Sequence, residues 1–106
     1  MTDLYGCRTV WELVERRAEL TPDLPMLLDD ARGPLTFGQF RFYAERVAAG
    51  LVEHGVRPGG TVAWQLPTTS EAVVIWAALA RLGVRQVPML LFYREREVQF
   101  LSLIHI

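Results

Sequence analysis

Lysine is absent from this chain; all eleven basic residues are arginine. The chain therefore cannot itself supply a lysine nucleophile or a lysine that reaches a phosphate. Cysteine is nearly absent as well. Cys7 stands alone, which excludes an internal disulfide and a cysteine-rich metal site, and it reads as a structural residue. Charge of one sign is lacking too: eleven basic against twelve acidic residues leave a net charge of −1. That balance gives no electrostatic case for nucleic acid or an anionic membrane as partner. Long hydrophobic runs are missing. The longest, residues 72–80, is about half of what crosses a bilayer. The opening MTDLYGCRTV has neither a basic leader nor an apolar stretch behind it, so the expected compartment is the cytosol.

What is present is globular. Hydrophobic residues make up 51% and charged residues 22% of the 106 positions, a balance that argues against disorder and fits at most one small domain.

Three segments carry a Thr with an acid or amide three residues on, the pattern that opens a helix by satisfying its free amides. Thr9-Val10-Trp11-Glu12 opens a helix over 10–20, with Val10, Leu13, Val14 and Ala18 as its apolar stripe. Thr21-Pro22-Asp23 ends it. Thr36-Phe37-Gly38-Gln39 opens the longest helix, 37–54, with Phe40, Tyr43, Ala44, Val47 and Leu51 at spacings of three and four. Gly55 follows as a left-handed C′ residue, and His54 in the last turn complements the helix dipole. Thr68-Thr69-Ser70-Glu71 opens a third helix, 70–82, stopped by Gly83. A fourth is expected over 94–101, with Arg94-Glu95-Arg96-Glu97 as its solvated start.

Between these helices lie the strand signals. Two short strands flanking Asp30-Ala31-Arg32-Gly33 form a hairpin over 26–36. Val56-Arg57-Pro58-Gly59-Gly60 is a turn into a strand over 61–66, and 85–88 is a second strand. Pro58-Gly59-Gly60 is glycine-rich but lacks the phosphate-loop spacing and precedes a strand rather than a helix. No hairpin turn precedes 85–88, so it pairs parallel to 61–66 through a right-handed crossover. The fold class is α/β, one βαβ unit with flanking helices and a short hairpin. The helix over 70–82 is apolar on every side, and parallel sheets are covered on both faces. More protein than this is needed to cover both, so the chain is expected to be part of a larger domain.

Candidate chemistry is sparse. Ligands of open α/β sheets bind beyond the carboxyl ends of the strands, here Gln65-Leu66-Pro67-Thr68-Thr69-Ser70 and Pro88-Met89-Leu90. The three hydroxyls could receive an anion at the helix start, although capping that helix is the simpler role. There is no Ser/His/Asp set, no metal-ligand spacing and no pair of carboxylates in an apolar setting. Trp11, Trp64 and Trp76 fall on faces expected to be core. No catalytic, cofactor-binding or metal residue is assigned.

The succession TVWELVERRAELTPDLPMLLDD, LTFGQF, AAGLVEHGVRPGGTVAWQLPTTSEAVV, ALARLGVRQVPML and YREREV resembles the N-terminal part of the acyl-adenylate-forming synthetases, the AMP-forming acyl-CoA ligases and their relatives. Order and spacing carry the resemblance, from Thr9 to Leu101. Gly60 stands where the family usually has Asp, and Thr68 where it often has Asn. WQLPTTSEAV with YREREV is closer to the branch acting on fatty or alicyclic acids. The resemblance implies a ligase that uses ATP and Mg²⁺ to turn a carboxylic acid into an acyl-adenylate and passes the acyl group to coenzyme A. It also implies that the phosphate loop, the ribose-binding acid and the catalytic lysine lie downstream, so this chain alone is expected to be inactive and to bind none of these cofactors. Residues 1–101 would then be the first part of an AMP-binding domain. The tail 102–106 is apolar and off the family pattern and resembles translated sequencing-adapter read-through, which makes a truncated reading frame the expectation and His105 no site candidate. The alternative is a stand-alone α/β interaction or regulatory module derived from such a ligase, and a weaker one is a small nucleotide binder using Thr68–Ser70.

Overall fold

The computed structural model describes residues 6–89. In chain order these form α1 (Val10–Leu20), β1 (Pro25–Leu27), β2 (Leu35–Thr36), α2 (Phe37–Glu53), β3 (Thr61–Trp64), α3 (Ser70–Arg81) and β4 (Arg85–Pro88). The helix expected over 94–101 lies outside the described residues.

Each helix is opened by a threonine, but only one closes the reciprocal capping box. Thr36 Oγ1 accepts from the Gln39 amide at 3.1 Å, and Gln39 Oε1 accepts from the Thr36 amide at 2.9 Å. Thr9 caps α1 in the same way at 3.1 Å, yet Glu12 takes the Arg8 amide rather than that of Thr9. At α3 the cap is Thr69, not Thr68: its hydroxyl oxygen accepts from Ala72. The expected box therefore slides by one residue and loses its acid, because the third position after Thr69 is an alanine. Gly55 and Gly83 follow their helices at φ +98° and +68°, the left-handed geometry that glycine tolerates without a Cβ clash.

The three helices pack through Trp11 and Val14 of α1, Phe40 and Ala44 of α2, and Val74 and Ala77 of α3. Alanines at the crossings bring the helix backbones close, and Phe40 fills the space between them with no exposed surface. Two of the expected stripes are rotated. On α1 the buried positions are Trp11, Val14 and Ala18, while Val10 is 42% exposed; the Trp11 ring removes more apolar area from water than Val10 would. On α2 Ala48 is buried and Tyr43 is exposed, since an alanine seam is too narrow to cover the flanking ring.

The two sheets are small. β1 and β2 pair antiparallel with an irregular register. β3 and β4 pair parallel, Thr61 opposite Arg85 through Trp64 opposite Pro88, as the absence of a hairpin turn requires. β3 stops at Trp64, short of the expected Leu66. Pro88 has no amide hydrogen to continue the ladder, the Met89 amide makes the last bond to the Trp64 carbonyl at 2.8 Å, and Pro67 restrains Leu66. Gln86 ties this pair to α3: its Oε1 accepts from the Trp64 indole N–H at 2.9 Å, and its Nε2 donates to the Trp76 carbonyl at 3.0 Å.

α3 buries Ala72, Val74, Ala77, Ala78 and Leu79, whereas Val73 and Ile75 are half-buried and Trp76 is 38% exposed. Trp76 is thus not in the core. The described residues cover one side of this helix and leave the other bare.

Two substitution pairs check this packing by urea unfolding of the full-length protein that carries these residues. Phe40→Ala should cost about 3–5 kcal/mol, and Phe42→Ala, at an exposed ring, much less. Thr69→Ala should cost about 1 kcal/mol through the lost cap, and Thr68→Ala no more than about 0.5 kcal/mol.

Candidate functional site

The carboxyl end of the parallel pair and the start of α3 form one rim. β3 ends at Trp64, residues 65–69 cross to the helix, and Thr69 caps it. The turn between β1 and β2 is folded against the same helix start. Asp29 organises that turn: its Oδ1 accepts from the amides of Ala31 at 2.8 Å and Arg32 at 3.2 Å, and its carbonyl accepts from Gly33 at 2.6 Å. Aspartate at the first position of a turn does this readily, because its short side chain reaches the amides two and three residues on.

The second carboxylate oxygen reaches across the fold. Asp29 Oδ2 accepts from the Ser70 hydroxyl at 2.8 Å, and Ser70 is the one buried polar side chain among the described residues. The Ser70 hydroxyl is the strongest influence holding the Asp29 carboxyl below the usual carboxylate range; the Ala31, Arg32 and Ser70 amides add to it and burial opposes it. Three residues further along the turn and one along the helix, Arg32 Nε lies 2.7 Å from Glu71 Oε1 in a largely exposed ion pair.

Two open grooves lie on either side of these contacts, and both are lined by Arg32, Ser70 and Glu71. The first, about 520 Å³, continues along α2 and α3 past Leu35, Tyr43, Val47 and Ile75. The second, about 650 Å³, runs over Leu28, Asp30, Thr68 and Val73.

The rim's chemistry can now be tested against the anion considered for Thr68–Ser70. The helix start already faces an anion, the Asp29 carboxylate, which accepts the Ser70 hydroxyl and answers the positive end of the dipole. Thr69 spends its hydroxyl oxygen on the Ala72 amide. A phosphate here would meet a resident negative charge, so the rim does not fit the triphosphate of ATP. For Mg²⁺ the donors are equally unsuited, since among the described residues no three His, Cys, Asp or Glu side chains converge to hold a metal ion. Pro58-Gly59-Gly60 is a turn with Gly59 at φ +81°, and the Gly60 amide bonds back to the Arg57 carbonyl at 3.0 Å. Cys7 is buried and His54 is the exposed C-cap of α2. Asp29 is the residue that reasoning from sequence passed over. Its place at the head of a turn was visible, but its partner lies 41 residues away.

Comparison with known proteins gives the fold a lineage. Residues 14–102 match the family described as AMP-binding enzyme. The chain is 40% identical over 84 residues to acetyl-coenzyme A synthetase 2 of Zygosaccharomyces bailii, covering 74% of this chain and 12% of that protein. It is 27% identical over 95 residues to the medium-chain fatty-acid–CoA ligase of Escherichia coli, covering 90% of this chain and 17% of that protein. The structure of a Mycobacterium tuberculosis fatty acyl CoA synthetase superposes with a TM-score of 0.83 at 26% identity, covering 88% of this chain and 19% of that one. The chain thus spans between about an eighth and a fifth of the length of these relatives. With three helices, a short hairpin and a parallel pair in this order, it belongs to the AMP-binding enzyme family, as the N-terminal portion of an adenylate-forming acyl-CoA synthetase fold.

Proposed function

We propose that this chain is the first part of an AMP-forming carboxylic acid–CoA ligase, with residues 1–101 belonging to its AMP-binding domain. The observation that carries the proposal is the match to the family over residues 14–102, from within α1 through the hairpin, α2 and the βαβ unit. On this reading the whole enzyme condenses a carboxylate with ATP, Mg²⁺-assisted, to an acyl-adenylate and pyrophosphate. The thiol of coenzyme A then takes the acyl group and AMP leaves. The substrate belongs to the fatty or alicyclic acids and the reaction takes place in the cytosol.

The part played by these residues is scaffolding. The developing charge on pyrophosphate needs fixed positive groups; this chain has no lysine to offer, and the start of α3 is occupied by the Asp29 carboxylate. The catalytic groups belong to the larger share of the ligase, which also covers Trp76 and Ile75.

The test begins with the genomic sequence past codon 101. It should continue in frame and carry a Ser/Thr/Gly-rich phosphate loop some tens of residues on. The protein expressed from that frame should catalyse ATP–pyrophosphate exchange that depends on an added carboxylic acid, assayed from acetate through medium-chain and alicyclic acids. This chain alone should give no exchange and should self-associate through the bare flank of α3. A genuine stop after Ile106, together with a monodisperse chain that unfolds cooperatively, would instead establish the stand-alone module.

A further inference from the structure

The turn formed by residues 29–33 touches α3 at two consecutive residues. Asp29 holds Ser70 and Arg32 holds Glu71. These are the first two residues of the helix, so the contacts act at the end where the dipole favours negative charge. The strands bearing the turn are three and two residues long with an irregular register, too short to fix its position unaided. The same pairs are where the two grooves meet: Arg32, Ser70 and Glu71 line both, and Asp29 lines the second.

We propose that Asp29–Ser70 and Arg32–Glu71 form an acid-releasable clamp: protonation of Asp29 frees the turn 29–33 from α3 and opens the partition between the two grooves. The ionised carboxylate is matched to this position because both its oxygens accept. Oδ1 takes two amides of its own turn while Oδ2 takes the Ser70 hydroxyl. A proton on either oxygen removes an acceptor and the charge that answers the helix dipole together. The charged groups around Asp29 are Asp30 and Arg32 on its own turn and Glu71 on α3. Arg32 favours the ionised form, whereas Asp30 and Glu71 oppose it, and Arg32 is drawn toward Glu71. The remaining contact at the surface is weak by itself, so the Asp29 half decides whether the clamp holds.

The direction with pH follows from the lowered carboxyl. The clamp's contribution is complete well above the ordinary carboxylate value of about 4 and is lost as pH falls through that value toward the lower one of the folded state. The clamp does not depend on the ligase reading and would operate equally in a stand-alone module.

Hydrogen–deuterium exchange of the protein expressed from the full reading frame, or of the chain itself if the frame ends at Ile106, tests it, with rates corrected for intrinsic exchange at each pH. At neutral pH, Asp29→Asn and Ser70→Ala should each speed exchange over residues 30–33 by at least about fivefold. Exchange over 40–48 in α2 should stay unchanged. Lowering the pH below about 4 should raise the wild-type turn toward the Asp29→Asn value and raise that variant's turn by a smaller factor, the part carried by Arg32–Glu71. Glu71→Gln should act in the same direction by a smaller factor. Equal turn exchange in wild type and both variants would overturn the clamp. So would an increase of the same factor in 40–48, which would make Asp29 a contributor to global stability only, or a wild-type turn that ignores acid while α2 stays protected.

Discussion

Everything in this fold depends on how closely α3 approaches α2. Ala44 and Ala48 on one helix and Ala77 and Ala78 on the other are almost completely buried. Small side chains at such positions let two helices approach closely, and Phe40, with no exposed surface, packs in one cluster with Ala44 and Ala77. The close approach gives α1 a surface to lie on. It also brings the hairpin to the start of α3 and holds the parallel pair against the helix through Val84 and Gln86. A larger side chain at any of these alanines would push apart more than two helices, because the sheet and the hairpin are both positioned by α3.

Much of this could be read from the sequence, and the reasons are local. Gly55 and Gly83 announce left-handed helix ends, and the Thr36–Gln39 pair announces a helix start. The lack of a turn before Arg85 announces a parallel partner. Each signal is complete within a few residues. The failures needed information from elsewhere in the fold. Three hydroxyls in succession at 68–70 could each cap a helix, and the choice of Thr69 is settled by Ser70 turning to Asp29. Trp76 looked like core because its own helix is apolar, yet burial depends on what packs outside that helix. Tyr43 fits the periodicity of α2 but lies beside a seam only as wide as an alanine.

The rim at the carboxyl end of the parallel pair shows how a general rule about ligands can hold for a fold while failing for a segment of it. Open α/β sheets bind ligands beyond their strand ends, and here the place is taken by a carboxylate from the same chain. An internal anion meets the helix dipole without the entropic cost of capturing one from solution. The helix start is consumed in holding two elements together.

The Gln86 bridge between Trp64 and the carbonyl of Trp76 completes three unlike surroundings for the three indoles. Trp11 is buried with the Arg81 guanidinium 5.6 Å from its ring centre. Trp64 is half-buried with its N–H engaged by Gln86, and Trp76 meets solvent on the bare flank of α3. The emission of the protein is therefore a sum of spectrally distinct reporters. An aqueous quencher reaches Trp76 first, and whatever settles on that flank shifts its emission to the blue while the other two stay as they were.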